Sequence, residues 1–167
     1  RPMVQSVELA DVKFQWRSDQ PVVLDIPAFS IGAGERVFVS GPSGSGKTTL
    51  LNLLGGVALP RAGSVSVGDT RLDRLSAPAR DTFRADHIGF IFQSFNLVPY
   101  LSMIENATLP CRFSDSRGKR AIERSGSVAE DARRLLSRMG LDIGSLSGRP
   151  VTDLSIGQQQ RVAIARS

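Results

Sequence analysis

Nine residues restrict this chain more than any others: Gly41-Pro42-Ser43-Gly44-Ser45-Gly46-Lys47-Thr48-Thr49. They fit the pattern G-x-x-x-x-G-K-[ST], with Gly41 and Gly46 as the fixed glycines. An apolar run, Arg36-Val37-Phe38-Val39-Ser40, leads in and reads as a buried strand. A Leu-rich helix, Thr48 to Leu54, leads out and stops at Gly55-Gly56. Strand, glycine-rich turn and helix N-terminus in that order make an anion cradle. Glycines let successive main-chain N–H groups turn inward around a phosphate, and the positive end of the helix adds to the field. Lys47 supplies a point charge for β- and γ-phosphates, and the Thr48 hydroxyl a ligand for Mg²⁺. The expected phosphate contacts are Gly41, Ser43, Gly44, Ser45, Gly46, Lys47, Thr48 and Thr49. A structural turn that matches by accident is the competing reading, and the flanking strand and helix count against it.

The length of 167 residues is enough for one domain with a real core, and 41% hydrophobic with 22% charged residues is ordinary for a globular protein. No run approaches the roughly 18–20 apolar residues of a membrane-spanning helix, and no signal peptide is visible. One cysteine, Cys111, leaves no internal disulfide or cysteine cluster and reads as a reduced, inert thiol. A cytosolic setting is the simplest expectation. Residues 112–138 hold eight basic groups against four acidic ones, most of the net charge of +5. Aromatic side chains are not interleaved with them, so a nucleic-acid surface is not expected. A solvated helix face is preferred over one that meets anionic lipid headgroups.

Val7 and Leu9, then Val12, Phe14 and Trp16, alternate with polar residues in two short phases, as in small β-structure. Arg17 to Pro21 is a loop; Val22-Val23-Leu24, Ile26 and Ile31 resume the pattern, and Gly32-Ala33-Gly34 turns the chain. Pro60 to Gly63 is a connector. Val65 and Val67 face Arg71-Leu72 across Gly68-Asp69, a dipeptide suited to a two-residue hairpin turn. Ala77 to Ala85 reads as a short helix with Pro78 in its first turn. Ile88 to Phe92 reads as a buried strand ending at Gln93, with lone His87 a surface residue at its start. Three capping boxes follow, Ser102-x-x-Glu105, Ser127-x-x-Glu130 and Ser155-x-x-Gln158. The second opens a helix with Val128, Ala132, Leu135, Leu136 and Met139 on its buried face, closed by Gly140. Gly118 and Ser125-Gly126 read as flexible joints before it. The third puts Ser and Gly at a helix N-terminus, a second potential anion site.

The phosphate loop, Ile88 to Gln93 followed by Ser94-Phe95-Asn96-Leu97-Val98-Pro99, and Leu154-Ser155-Ile156-Gly157-Gln158-Gln159-Gln160-Arg161-Val162-Ala163-Ile164-Ala165-Arg166 together resemble the nucleotide-binding domain of ABC transporters. The likeness covers essentially the whole chain in the family's order, and its last motif is specific to that family. Within the family, Phe92 to Pro110 looks most like the lipoprotein-release and macrolide-efflux branch. The resemblance implies an α/β fold: a phosphate-loop NTPase core with an antiparallel β-subdomain and a helical subdomain. The units would be 1–93 (ATP-binding core), 94–150 (helical subdomain) and 151–167 (signature motif and the start of its helix).

The resemblance also implies roles. Trp16 would stack on adenine, against the plainer reading of a core or edge-strand tryptophan. Gln93 would touch Mg²⁺ or the attacking water and sense the membrane partner, against a polar strand cap. Ser155, Gly157 and Gln158 would meet the γ-phosphate of ATP held by a second copy in a head-to-tail dimer. Catalytic residues would be Lys47 and Gln93, metal contacts Thr48 and Gln93, and cofactors ATP and Mg²⁺. A transmembrane permease subunit would complete the machine on the inner face of the membrane, with export as the expected direction.

Two departures stand out. Position 156 is Ile where the family usually has glycine, which restricts the backbone and adds bulk beside the incoming phosphate. The family continues into an apolar strand ending in Asp-Glu, the Glu polarising the attacking water, and then a switch histidine. None follows Ser167, His87 lies in the wrong half to replace that histidine, and the chain opens at Arg1-Pro2. The expectation is therefore a fragment with an incomplete core sheet, inactive alone. Two other readings stay open: a soluble ABC-type ATPase acting on DNA or ribosomes, and a nucleotide-binding module without catalysis, either degenerate or truncated.

Overall fold

The computed structural model describes residues 5–167, so the Arg1-Pro2 opening lies outside the described residues. The chain divides into two units, one running to Asp81 and the other from Thr82 to Ser167.

The first unit is built on an antiparallel sheet of order β2-β1-β3-β4, with β1 Gln5–Phe14, β2 Leu24–Gly32, β3 Ala62–Val67 and β4 Thr70–Arg71. The two phases of the opening sequence are one strand with a bulge. Its register against β3 shifts between Ala10 and Lys13, and Asp11 takes the left-handed conformation at φ 50°. That extra residue lets Leu9, Val12 and Phe14 all turn inward and be buried. Gly63 lies against the bulge; a Cβ there would stand 2.3 Å from the Asp11 oxygen, so only glycine fits. The hairpin forms at the expected turn, with Val67 opposite Thr70 and Ser66 opposite Arg71, while Leu72 leaves the strand for a 3-10 turn, Leu72–Arg74. Asp73 locks it, accepting from the Val65 N–H at 3.0 Å and from Arg71 Nε and Nη2 at 2.8 and 2.6 Å. The Arg71 guanidinium holds the Asp73 carboxyl down at about 2. Helix α1, Lys47–Leu54, packs on β3 and buries Thr49, Leu50 and Leu53.

The run 36–40 is not a strand, and its apolar residues lie at the surface, Phe38 being 90% exposed. Ile88 to Phe92 likewise has no ladder, with Ile91 and Phe92 exposed. A strand is made by the neighbour that pairs its N–H and C=O groups, and no described strand pairs with either run. The parallel layer of the expected core is thus unformed among the described residues, which agrees with an incomplete sheet.

Helix α2, Ala77–His87, runs two residues further than expected, so His87 ends a helix instead of opening a strand; its ring lies 4.7 Å from that of Phe83. The second unit is otherwise helical: α3 Met103–Phe113, α4 Asp115–Ser125, α5 Val128–Arg138, α6 Ile143–Leu146 and α7 Ile156–Arg166. Its core is Met103, Leu136, Leu141, Val151, Leu154 and Val162. The capping boxes at Ser102 and Ser155 are complete. The one at Ser127 is half made: Ser127 accepts from the Glu130 N–H, while the Glu130 carboxylate goes to Arg133 at 2.5 Å.

Gly118 is not a joint. It lies inside α4, which Ser114 starts by accepting from the Arg117 N–H; the Ser114 and Ser116 hydroxyls also donate to Asp86. The joint is at Gly126, left-handed at φ 85°. Nor is the basic segment simply a solvated face. Arg124 and Arg134 both converge on the buried carboxylate of Asp131, which also takes the Ser125 hydroxyl. Arg124 first, and then Ser125 and Arg134, hold that carboxyl far below the usual range.

Candidate functional site

The phosphate loop lies in the first unit and keeps the expected turn and helix, while the expected strand before it is not formed. Gly46 is the N-cap of α1 in the left-handed conformation, φ 92°, and Gly44 shares that conformation at φ 80°. A Cβ on Gly46 would stand 2.8 Å from Leu24 Cδ2 and 3.4 Å from the Val23 oxygen, so the loop's exit is pressed onto the start of β2. No side chain caps α1. The first main-chain N–H groups of an α-helix have no partner within it, so those of Lys47, Thr48 and Thr49 point out of the helix end. Helices α3, α5 and α7 each carry a serine cap at that place. An open, positively polarised helix end beside a glycine turn suits an anion.

The Lys47 ammonium folds back over the loop, donating to the Gly41 oxygen at 2.7 Å and the Pro42 oxygen at 2.8 Å. Ser45 Oγ lies 3.5 Å from it. The charge therefore hangs above the loop on neutral carbonyls, which phosphate oxygens would outcompete. Ser43, Thr48 and Ser45 are exposed at this face, whereas Thr49 turns its side chain inward. What Thr49 can offer a phosphate is its N–H.

Trp16 follows β1 and is 56% exposed. Its ring meets Phe14 edge-on, centroids 4.9 Å apart at 89°. Phe14 pairs with Leu24 and accepts from the Val23 N–H at 2.8 Å, and Leu24 is the residue Gly46 abuts. A continuous chain of contacts thus joins the open indole to the phosphate loop, which suits a ligand with a flat ring at one end and phosphates at the other.

Gln93, Ser155, Gly157 and Gln158 belong to the second unit. Gln93 is exposed in a turn closed by the Phe95 N–H on the Phe92 oxygen at 3.0 Å. Ser155 caps α7 by accepting from the Gln158 N–H at 3.3 Å, so its own hydroxyl proton is left to give to an incoming anion. The Gln158 side-chain oxygen takes the Ser155 N–H at 2.8 Å, so that oxygen is committed to the cap. A Cβ on Gly157 would meet nothing within 4 Å, and Ile156 is 76% exposed beside it. Gln93 and Ser155 are not brought together; they attach at opposite ends of α7, which is about 16 Å long at 1.5 Å per residue.

Sequence reasoning assigned no role to Asn106, fully buried, whose carboxamide accepts from the Val98 N–H at 2.8 Å. It also donates to the oxygens of Val98, Leu101 and Ser102 at 3.1–3.2 Å. That side chain shapes the segment between Gln93 and α3. The signal for it was an amide one turn into a capped helix, where a buried polar group implies a local loop to satisfy it.

Residues 24–167 match the family described as ABC transporter. Among curated proteins, the chain is 42% identical over 146 residues to the macrolide export ATP-binding/permease protein MacB of Burkholderia thailandensis, covering 87% of this chain and 21% of that protein. It is 44% identical over 138 residues to the probable syringafactin export ATP-binding/permease protein SyfD of Pseudomonas syringae, covering 83% and 20%. The chain thus spans about a fifth of the length of these relatives. Among solved structures, it matches the dimeric post-hydrolysis state of the ATP-binding cassette MJ0796 bound to ADP and Pi. The identity is 36%, the TM-score 0.79, and the match covers 96% of this chain and 68% of that one.

Proposed function

This chain belongs to the ABC transporter family, and from that premise we propose that it is the ATP-binding part of an exporter whose membrane portion lies elsewhere. The observation that carries the reading is the uncapped N-terminus of α1, with left-handed Gly46 at its mouth and the Lys47 ammonium resting on main-chain oxygens above it. ATP would lay its adenine on Trp16 and its phosphates in the loop. Lys47 would exchange its carbonyl contacts for β- and γ-phosphate oxygens, and the N–H groups of Gly44 to Thr49 would take the rest. The Thr48 hydroxyl would hold Mg²⁺, which would supply neutralisation of the charge on the phosphate oxygens.

No helix among the described residues is long and apolar enough to cross a membrane. Coupling to transport therefore needs a permease portion, which the MacB and SyfD names describe for those relatives. We assign Gln93 to that junction and place the chain on the inner face of the membrane. A second cassette, antiparallel to this one, would bring its nucleotide to Ser155, Gly157 and Gln158, in keeping with the dimeric MJ0796 cassette. Closure would then depend on the γ-phosphate, which makes the dimer interface a switch.

The test is calorimetric titration of the full-length protein with Mg·ATP. Micromolar-range binding is expected in the wild type, and Lys47→Ala should weaken it by at least about thirtyfold, the order of a lost charged hydrogen-bond donor. Equal affinity in both proteins would remove the loop from the account. A second reading, a module that binds nucleotide without turnover, is favoured by one observation: the exposed Ile156 at the mouth of α7. ATP binding with no phosphate release by the full-length protein would select it.

A further inference from the structure

The turn that presents Gln93 is held in an unusual backbone shape. Phe95 and Asn96 are both left-handed, at φ 59° and 49°, a conformation that a bulky residue such as Phe95 avoids and that asparagine takes more readily. The Asn96 N–H closes on the Ser94 oxygen at 2.6 Å. Two adjacent left-handed residues need an external hold. It comes from the last turn of α7: Arg166 Nη2 donates to the Phe95 oxygen at 2.6 Å, and Nη1 to the Asn96 oxygen at 2.5 Å. Among the described residues Arg166 has no acidic partner, and burial works against its charge. The planar fork of the guanidinium is spent on two consecutive main-chain oxygens of one turn.

A second arginine ties the other side of the same segment to the same place. Arg117 Nη2 donates to the Ile88 oxygen at 3.0 Å, and its Nη1 to the main-chain oxygen of Ser167 at 2.9 Å. The strip 88–96 is therefore fastened on both flanks of Gln93 to the end of α7. The opposite end of that helix carries Ser155.

We propose that Arg166 is a positioning residue that makes the Gln93 turn move with α7. Resting on the nucleotide reading above, a displacement of Ser155 by the partner cassette's ATP is carried along one rigid helix and delivered through the guanidinium fork to Phe95 and Asn96. Gln93, two residues away, is set by the occupancy of the distant site without touching it. Arg166 contacts no nucleotide in this scheme; its effect lies in where it holds another residue.

The experiment uses the full-length protein and the variants Arg166→Met and Arg166→Lys. Amide hydrogen exchange is followed at residues 94–97 without nucleotide, and ATPase kinetics with Mg·ATP. In Arg166→Met, exchange at 94–97 should rise at least about tenfold while the amides of α7 stay protected. The kcat should fall about tenfold with KM for ATP within about twofold, the signature of lost positioning instead of lost binding. Arg166→Lys keeps the charge but not the planar fork and should fall midway in both readouts. Wild-type exchange at 94–97 in Arg166→Met, or a loss confined to KM, would overturn the proposal. Should Arg166→Met fail to fold, Arg166→Lys decides alone, and wild-type exchange at 94–97 again overturns it. A wild-type protein that binds no ATP would sink the function proposed above and the nucleotide signal with it, whereas the hold of Arg166 on the Gln93 turn stands or falls on the nucleotide-free exchange measurement alone.

Discussion

Gly46 abuts Leu24: a methyl group in place of the glycine hydrogen would stand 2.8 Å from Leu24 Cδ2, at a residue whose φ is already 92°. The exit of the phosphate loop and the start of β2 are thus fitted to each other without room for a side chain. Gly46→Ala should cost about 1–3 kcal/mol of stability, from the left-handed backbone and the contact together. ATP affinity should fall at least about tenfold, because relieving the contact swings the α1 N–H groups off the cradle. Thermal unfolding and calorimetry on the same preparation check both parts; unchanged ATP affinity would contradict the second.

Asn106 makes four hydrogen bonds to main-chain groups of residues 98–102 from a fully buried position. Asn106→Ala leaves those groups without partners, and a loss of about 2–4 kcal/mol is expected. Urea unfolding monitored in the helical region is the measurement. A loss under about 0.5 kcal/mol, the range of ordinary surface changes, would mean that water replaces the amide.

The Asp73 carboxyl is held at about 2, below its ordinary 3.8, foremost by the Arg71 guanidinium. A depressed carboxylate stabilises the fold fully above its unfolded pKa, and that stability is lost as pH falls through the folded value. The sheet unit should therefore lose stability between about pH 4 and pH 2. Asp131, lowered by Arg124, Ser125 and Arg134, adds a loss of the same sign in the helical unit at still more acid pH. Asp73→Asn should reduce neutral-pH stability by about 1–2 kcal/mol and flatten the curve in that window. A curve as steep as wild type would show that the acid transition belongs to other groups.

Ile156 is exposed at the first turn of α7, where the partner's nucleotide is proposed to arrive. Ile156→Gly removes a β-branched side chain from that approach, and ATP-dependent dimer formation should tighten by about tenfold. Analytical ultracentrifugation with a slowly hydrolysed ATP analogue reads it. Equal or weaker association would show that the isoleucine packs favourably at the interface.

The parts legible in the sequence were those whose chemistry is local. The loop at Gly41–Thr49, the turn at Gly68-Asp69 and the caps at Ser102 and Ser155 each follow from a few neighbouring residues, and each is formed. The runs 36–40 and 88–92 announce a wish for burial, but pairing is the property of a partner strand, and periodicity cannot supply one. Helix α4 was hidden for the opposite reason. Asp115–Ser125 is mostly polar and contains Gly118, and its start is fixed by Asp86 twenty-eight residues before Ser114. The Ser127 box failed by half because Arg133 offers Glu130 a charged partner in place of a main-chain N–H. Arg166 lay inside a recognisable motif, yet its two acceptors are seventy and seventy-one residues away.

The bulge at Asp11 bears on how this sheet can vary. Side chains alternate faces along a strand, so straightening the bulge with Asp11 kept in line would put Asp11 on the face of Leu9 and reverse every position beyond it. Lys13 would then face the interior, Phe14 would turn to water, and the indole after it would be carried to the wrong side of the sheet. The left-handed turn at Asp11 is therefore a functional variable: a substitution at Asp11 or at Gly63 beside it that straightens the strand would carry the proposed adenine platform away while leaving Trp16 and every residue of the phosphate loop unchanged.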